Sequence, residues 1–150
     1  IQDLIYAYFG GLPGTQLGCA RRNQHIPFHI ANEYDIYSNS WHCDNEPCDR
    51  IKMFVALNDI DRNCGPLHFL PRPATRQIIK QGFKHRDDYG IWVEAIEHPE
   101  RLKRFEGKTG TVMFINVTQC LHKAGIPEVG YYRDIAEIQF RAKLESTRSY

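Results

Sequence analysis

Residues 134–142 read DIAEIQFRA, and their alternation is the strongest strand signal in the chain. In an extended backbone Ile135, Glu137 and Gln139 share one face, and the residues between them share the other. Such a period of two is typical of a strand that is buried on one side. Segments 34–37, 51–57, 67–70 and 109–117 are alternating or apolar as well, so the sequence predicts several further strands.

Turn signals separate these segments, and helical spacing is limited. Gly65-Pro66 and the sequence GIP at 125–127 mark reversals of the chain. Helical patterns occur at the N-terminus and, within an insertion from about 72 to 108, at 76–81 and 97–105. We therefore expect an all-β dominated fold, a sandwich or jelly roll, with one partly helical insertion and a short N-terminal helix.

Length and charge restrict the function. The 150 residues fit a single domain, 1–150, and 42% hydrophobic with 25% charged residues is typical of a globular protein. A formal net charge of +1 provides no field that would collect polyanions. Binding to nucleic acid or to a membrane surface is therefore disfavoured, and a small-molecule substrate is expected.

Apolar runs and cysteines indicate where the protein acts. No run approaches the roughly 20 apolar residues that a membrane-spanning helix needs, so we expect a soluble protein. Five cysteines, an odd number without dense spacing, favour a reducing compartment and hence the cytoplasm. The chain begins at Ile1 rather than at a methionine, and we expect a truncated core of a longer protein.

Residues 38–45, SNSWHCDN, contain a candidate half of a metal site. In an extended segment the side chains of His42 and Asp44 point to the same face, with their Cα atoms about 6.8 Å apart. Oxygenases hold ferrous iron with two imidazoles and one carboxylate, and leave the opposite positions open. A single His-x-Asp also occurs often by chance, as an ordinary surface hydrogen bond. A third ligand is needed.

His122 is the candidate third ligand, since it follows the strand-like residues 111–116 and precedes the turn at 125–127. Arg133 lies beyond that turn, at the start of the alternating strand. If the chain reverses near residues 127–128, positions 122 and 133 lie opposite one another and share a face. An arginine presents a planar fork of donors that matches a carboxylate with two bonds.

The order His42-x-Asp44, His122, Arg133, with LNDIDRNCGPLHFLP at 57–71 between them, resembles the phytanoyl-CoA dioxygenase family of Fe(II)/2-oxoglutarate oxygenases. The resemblance runs from about residue 34 to 142. It implies a double-stranded β-helix, a cupin-like jelly roll, in which the two histidines and the aspartate bind Fe(II). It also implies that Arg133 holds the distal carboxylate of 2-oxoglutarate.

The resemblance further implies a dioxygenase that uses O2, converts 2-oxoglutarate to succinate and hydroxylates a small molecule. Because halogenases of this kind lack the carboxylate ligand, Asp44 favours hydroxylation. Phe54 falls where the family often has an aromatic wall beside the cosubstrate, although a plain core phenylalanine explains it equally well. One departure is the sequence RPA at 72–74, where the family commonly has Gly-Ser-His.

Two alternatives remain open from the sequence. In the first, a structural zinc site is formed by Cys43, Cys48, Cys120 and His122, although Cys43 would point away from the face of its neighbouring histidine. In the second, a cupin-like protein binds or isomerises a small molecule with a metal but without 2-oxoglutarate, and Arg133 is only a strand-edge residue.

Overall fold

The computed structural model describes residues 1–46, 49–84 and 89–142, and for residues 16, 17 and 89 it describes the backbone alone. The strands are β1 (Gly14–Gln24), β2 (Arg50–Ala56), β3 (Leu67–Phe69), β4 (Lys103–Arg104), β5 (Val112–Asn116), β6 (His122–Ala124) and β7 (Tyr132–Arg141). The helices are α1 (Gln2–Phe9), α2 (Phe28–Glu33), α3 (Arg72–Lys80) and α4 (Tyr89–Ile96), with 3-10 turns at Ile36–Ser38 and Arg62–Cys64.

The strands form two antiparallel sheets. The larger has the order β1-β7-β2-β5 and the smaller the order β4-β3-β6. β7 lies inside the larger sheet, where Phe54 of β2 is opposite Glu137 and Asn23 of β1 is opposite Arg133. The inward-facing Arg133, Ile135 and Glu137 are all buried, as the alternation of residues 134–142 predicts.

The core lies between the sheets, and the insertion adds a second cluster. Phe54, Ile115 and Ile135 of the larger sheet pack with Leu67 of β3. A second apolar cluster combines residues next to the smaller sheet with residues of the helical insertion: Trp41, Leu70, Ile78, Phe83, Ile96, Leu102 and Leu121. The insertion therefore packs beside the smaller sheet, close to the segment that carries His42.

The prediction of a mostly β fold with antiparallel sheets and a short N-terminal helix is confirmed. Strands β2, β3, β5 and β7 lie where the alternation places them, and α3 covers most of the predicted helix at 76–81. Within the part of the chain that the structure describes, no helix is long and apolar enough to span a bilayer.

Two local predictions were wrong. Residues 34–37 are not a strand, because Asp35 and Tyr37 adopt left-handed conformations (φ 45° and 62°) and the Asp35 carboxylate accepts the amide hydrogen of Ser40. Residues 97–105 are not a helix, because Lys103 and Arg104 pair with β3 as strand β4. The helix in this region ends at Ile96, shortly before Pro99, whose predecessor is disfavoured in helical geometry.

Candidate metal centre

A pair of backbone hydrogen bonds places the two histidines opposite one another. The His42 amide donates to the carbonyl oxygen of His122 at 3.1 Å, and the His122 amide donates back to that of His42 at 2.9 Å. The Asp44 amide donates to the carbonyl oxygen of Val117 at 2.9 Å, so the segment that carries both predicted ligands is bonded to the chain near His122 at two points. The short extended segment that precedes β2 is thus hydrogen-bonded to β6.

The three predicted ligands converge on a common point. Oδ1 of Asp44 lies 3.3 Å from Nε2 of His42 and 3.4 Å from Nε2 of His122. Two atoms that bind one ion at right angles, each at about 2.1 Å, lie roughly 3 Å apart. Within the described ranges, these residues are the one group of three or more whose ligand atoms are close enough to share a metal ion.

The tautomers of both imidazoles suit a metal. Nδ1 of His42 donates to the carbonyl oxygen of Ser40 at 2.8 Å, and Nδ1 of His122 donates to that of Cys120 at 2.9 Å. Because a carbonyl oxygen only accepts, each neutral imidazole keeps its hydrogen on Nδ1 and a lone pair on Nε2. The lone pairs and the carboxylate then face one another, and a divalent cation between them would relieve their repulsion.

The electrostatics favour the ligating forms of Asp44 and His122. Burial acts to raise the pKa of Asp44, but its polar contacts with His122 and His42 and the charge of Lys52 outweigh it, so the pKa lies well below its usual range. Burial lowers the pKa of His122, which keeps that imidazole neutral. Deprotonated carboxylates and neutral imidazoles are the forms that bind metals.

A charged network that sequence reasoning missed adjoins the centre. Nζ of Lys52 lies 2.9 Å from Oδ2 of Asp44 and 3.8 Å from Oε1 of the buried Glu137. Glu137 also accepts hydrogen bonds from Arg21 at 3.1 Å and from Gln139 at 2.6 Å. The sequence did contain one indication of this network, because Glu137 places a carboxylate on the inward face of the alternating strand.

Arg133 is a buried cation on the inward face of β7, the face that also carries Glu137. It is 1% exposed, and its Nη1 donates to the carbonyl oxygen of Gly125 at 3.2 Å. Its Nε is buried without a partner, and no carboxylate of the described residues pairs with the guanidinium. Burial lowers its pKa to about 10, with a smaller contribution from Arg21, so it stays charged at neutral pH. The opposite residue, Asn23, also buries an unpartnered oxygen.

These features fit an anionic cosubstrate. A buried cation without an acidic partner is costly, and a carboxylate on Arg133 would satisfy its charge and its unpaired donor. Phe54, 3% exposed, lies on β2 between the level of Lys52 and that of Arg133 and packs in the core. The aromatic side chain predicted beside the cosubstrate therefore faces the interior and packs with Ile115 and Ile135.

A cavity of about 550 Å³ opens beside the ligands. One side carries His42 and Asp44, and the insertion contributes Ile79 and Phe83. Burial raises the pKa of Cys43 in its wall to about 12, with further contributions from Cys120 and Asp44, so this thiol stays neutral. Among the described residues, the cavity is lined by His42, Cys43, Asp44, Asn45, Ile79, Phe83, Lys84 and Leu121.

The zinc site considered from the sequence receives no support from the described ranges. Cys48 lies outside them. Cys43 and Cys120 are free thiols that do not join His122 in a ligand group there. Arg133, which the cupin interpretation treats as a strand-edge residue, lies instead in a strand that has neighbours on both sides.

Several solved structures share this fold at low sequence identity. The carbocyclase SnoK from nogalamycin biosynthesis, non-heme and alpha ketoglutarate dependent, aligns over 94% of this chain with a TM-score of 0.60 and 15% identity. AviO1 from Streptomyces viridochromogenes Tue57 aligns over 95% with a TM-score of 0.54 and 13% identity. EvdO2 from Micromonospora carbonacea var. aurantiaca, solved with 2-oxoglutarate, aligns over 94% with a TM-score of 0.50 and 13% identity.

At these identities the similarity shows the fold. The chain spans 54% of SnoK, 57% of AviO1 and 58% of EvdO2, so it corresponds to a little over half of each. No protein-family model and no curated protein matches the sequence.

Proposed function

We propose that this chain is a non-haem Fe(II)/2-oxoglutarate-dependent dioxygenase that hydroxylates a small molecule. His42, Asp44 and His122 hold the iron, and Arg133 holds the distal carboxylate of 2-oxoglutarate. The supporting observation is that the same fold contains a His-Asp-His cluster and a buried arginine, and that this arginine has no carboxylate partner in the described ranges. The same proposal places the chain in the phytanoyl-CoA dioxygenase family and in the cytoplasm. It also treats residues 1–150 as a single double-stranded β-helix domain.

Each residue of the site has a physical task. Bound Fe(II) would couple decarboxylation of 2-oxoglutarate by O2, giving succinate and CO2, to insertion of the second oxygen atom into a substrate C–H bond. The carbonyl oxygens of Ser40 and Cys120 hold the imidazoles of His42 and His122 with their Nε2 atoms facing inward. Phe54 excludes water from one side of the cosubstrate. The cavity beside Asp44 admits the substrate.

A cupin-like protein that binds a metal without 2-oxoglutarate is the second candidate function. It uses the same three ligands but gives Arg133 no anion to bind. Full burial of that guanidinium, without an acidic partner in the described ranges, favours the oxygenase. The two functions differ in whether the metal-loaded protein binds 2-oxoglutarate.

The test is anaerobic addition of Fe(II) and 2-oxoglutarate to the purified protein, followed by visible absorption. The chelate of the 2-oxo acid on iron is expected to give a weak charge-transfer band that can be titrated with 2-oxoglutarate. We expect Arg133→Lys to raise the concentration for half-maximal absorbance at least tenfold, because lysine offers a point charge in place of a fork. A wild-type protein without this band would refute the oxygenase.

The matched control is Arg22→Lys. Arg22 lies on β1, on a neighbouring strand, and its exposed guanidinium forms two hydrogen bonds to Asp134. This substitution makes the same chemical change outside the site, so the 2-oxoglutarate titration should match that of the wild type. An equal loss of 2-oxoglutarate affinity in both variants would show that Arg133 does not bind the cosubstrate.

A further inference from the structure

The two oxygens of the Asp44 carboxylate have different environments. Oδ1 faces both imidazoles, 3.3 Å and 3.4 Å from their Nε2 atoms. Oδ2 lies 2.9 Å from Nζ of Lys52. The carboxylate is 16% exposed, and Lys52 is the cation that pairs with Oδ2 among the described residues. One oxygen is therefore available to a metal, and the other is engaged by an ammonium group.

Lys52 is fixed in this position by the larger sheet. It lies in β2 between two paired strands, opposite Ile115 of β5 and Gln139 of β7. Glu137 lies 3.8 Å from the same ammonium group and is itself held by hydrogen bonds from Arg21 and Gln139. Lys52 therefore lies close to two carboxylates, and Asp44 is the nearer one.

The number of ligating oxygens matters for the proposed reaction. An octahedral ion offers six positions, and a site of two histidines and one carboxylate leaves three for other ligands. A 2-oxo acid that chelates the ion would need two of these positions, and one would then remain for O2. If Asp44 bound the ion with both oxygens, one of these three positions would be lost.

We propose that Lys52 is a positioning residue that makes Asp44 a one-oxygen ligand and so keeps a coordination position open for the cosubstrate. This inference rests on the proposed function, since it concerns the same metal centre. Lys52 acts through Asp44 and does not itself need to touch the reacting atoms. Its neutral replacement should therefore alter how the aspartate binds the metal even before any cosubstrate is added.

The test uses the full chain loaded with Mn(II), a redox-stable substitute for Fe(II), without 2-oxoglutarate. The infrared spectrum of the metal-loaded protein minus that of the metal-free protein reports the two stretching bands of the ligating carboxylate. These bands lie far apart when one oxygen binds and move together when both bind. We expect a wide separation in the wild type, a narrow one in Lys52→Met, and a wide one again in Lys52→Arg, which restores a cationic donor.

The matched control is Lys108→Met, which removes an ammonium group that lies 2.8 Å from Asp59 on the exposed surface. Its infrared difference spectrum should equal that of the wild type. Lys52→Leu provides a second neutral variant if the methionine variant does not fold. An unchanged wide separation in the neutral variants, or a narrow one in the wild type, would overturn the role of Lys52.

A second measurement follows the consequence for the cosubstrate. Calorimetric titration of the Mn(II)-loaded proteins with 2-oxoglutarate should show a dissociation constant about tenfold higher for Lys52→Met and one near the wild-type value for Lys52→Arg. Failure of Lys52→Arg to restore affinity would contradict the positioning role. A wild type that binds Mn(II) but no 2-oxoglutarate would instead count against the proposed function.

Discussion

At the scale of single residues, three buried or partly buried histidines differ in the partner of their Nδ1 atom. His42 and His122 each donate from Nδ1 to a backbone carbonyl oxygen, which leaves Nε2 available to an ion. His68 has a buried Nδ1 without a partner. It lies on β3 between Lys123 of β6 and Arg104 of β4, two cationic neighbours. The first two histidines are therefore arranged for binding, and His68 is arranged to stay neutral.

His68 should make the protein sensitive to mild acid. Burial, and then the charges of Lys123 and Arg104, lower its pKa to about 4, whereas the unfolded chain titrates near 6.5. Between these values the unfolded state binds more protons, so stability is full above about pH 6.5 and is lost as the pH falls toward 4. We expect urea titrations to show that wild type loses about 1–2 kcal/mol more unfolding free energy than His68→Gln between pH 7 and pH 5.

The control for this pH dependence is His98→Gln, which removes an exposed histidine. It should leave the wild-type slope of stability against pH unchanged. Equal slopes for wild type and His68→Gln would show that His68 is protonated as readily in the folded state as in the unfolded chain.

At the scale of elements, two turns meet closely beside the arginine. The turn before β3 contains Gly65, with φ at +61°, and a methyl group there would meet the peptide between Ile126 and Pro127. Gly125 approaches the same contact from the other turn, where a methyl group would lie 2.6 Å from the carbonyl oxygen of Pro66. Because the Gly125 carbonyl accepts a hydrogen bond from Arg133, this contact also positions the guanidinium.

Gly65→Ala should therefore destabilise the fold strongly. The alanine would suffer both an unfavourable backbone conformation and a clash with backbone atoms that have no flexible end, and we expect a loss above about 3 kcal/mol in urea unfolding. Gly110→Ala separates the two effects, because Gly110 has φ at +87° but nothing within 4 Å of an added methyl group. That variant should lose only about 1 kcal/mol. Similar losses in both variants would show that the close contact contributes little.

Local patterns were sufficient for some elements and insufficient for others. β7 was predictable because its alternation is uninterrupted, and His122 and Arg133 were proposed because they lie next to strand-like segments. His42 and Asp44 were proposed from their i, i+2 spacing, which puts both side chains on one face of an extended segment. β1 was missed, since GTQLGCARRNQ mixes glycines and charges and forms a strand only through its pairing with β7. Lys52 was not singled out, because its contact with Asp44 depends on the long-range pairing of β2 with β5 and β7.

At the scale of the whole molecule, the candidate metal would join parts of the chain that are distant in sequence. His42 and Asp44 precede β2, whereas His122 begins β6. An ion held by all three binds only the folded chain, because the unfolded chain does not keep them together. Metal binding should therefore stabilise the entire fold.

Thermal unfolding tests this linkage. A ligand at 100 times its dissociation constant adds about 2.7 kcal/mol, which raises the unfolding temperature of a domain of this size by roughly 5–10 °C. We expect that shift with Mn(II) and its reversal by a chelator. His122→Ala should lose the shift, and His98→Ala, which changes an exposed histidine, should keep it. An equal shift in His122→Ala would place the ion elsewhere.

The reciprocal pair of main-chain bonds between residues 42 and 122 has a consequence for how this centre tolerates sequence change. The spacing of the two imidazoles is fixed by the peptide groups that carry them, and any amino acid except proline supplies those groups. Side chains around the centre can therefore be replaced, and the local charge and polarity changed, while the two imidazoles stay in place. The side chains of the cavity wall can therefore change while the main-chain bonds keep the spacing of the two imidazoles.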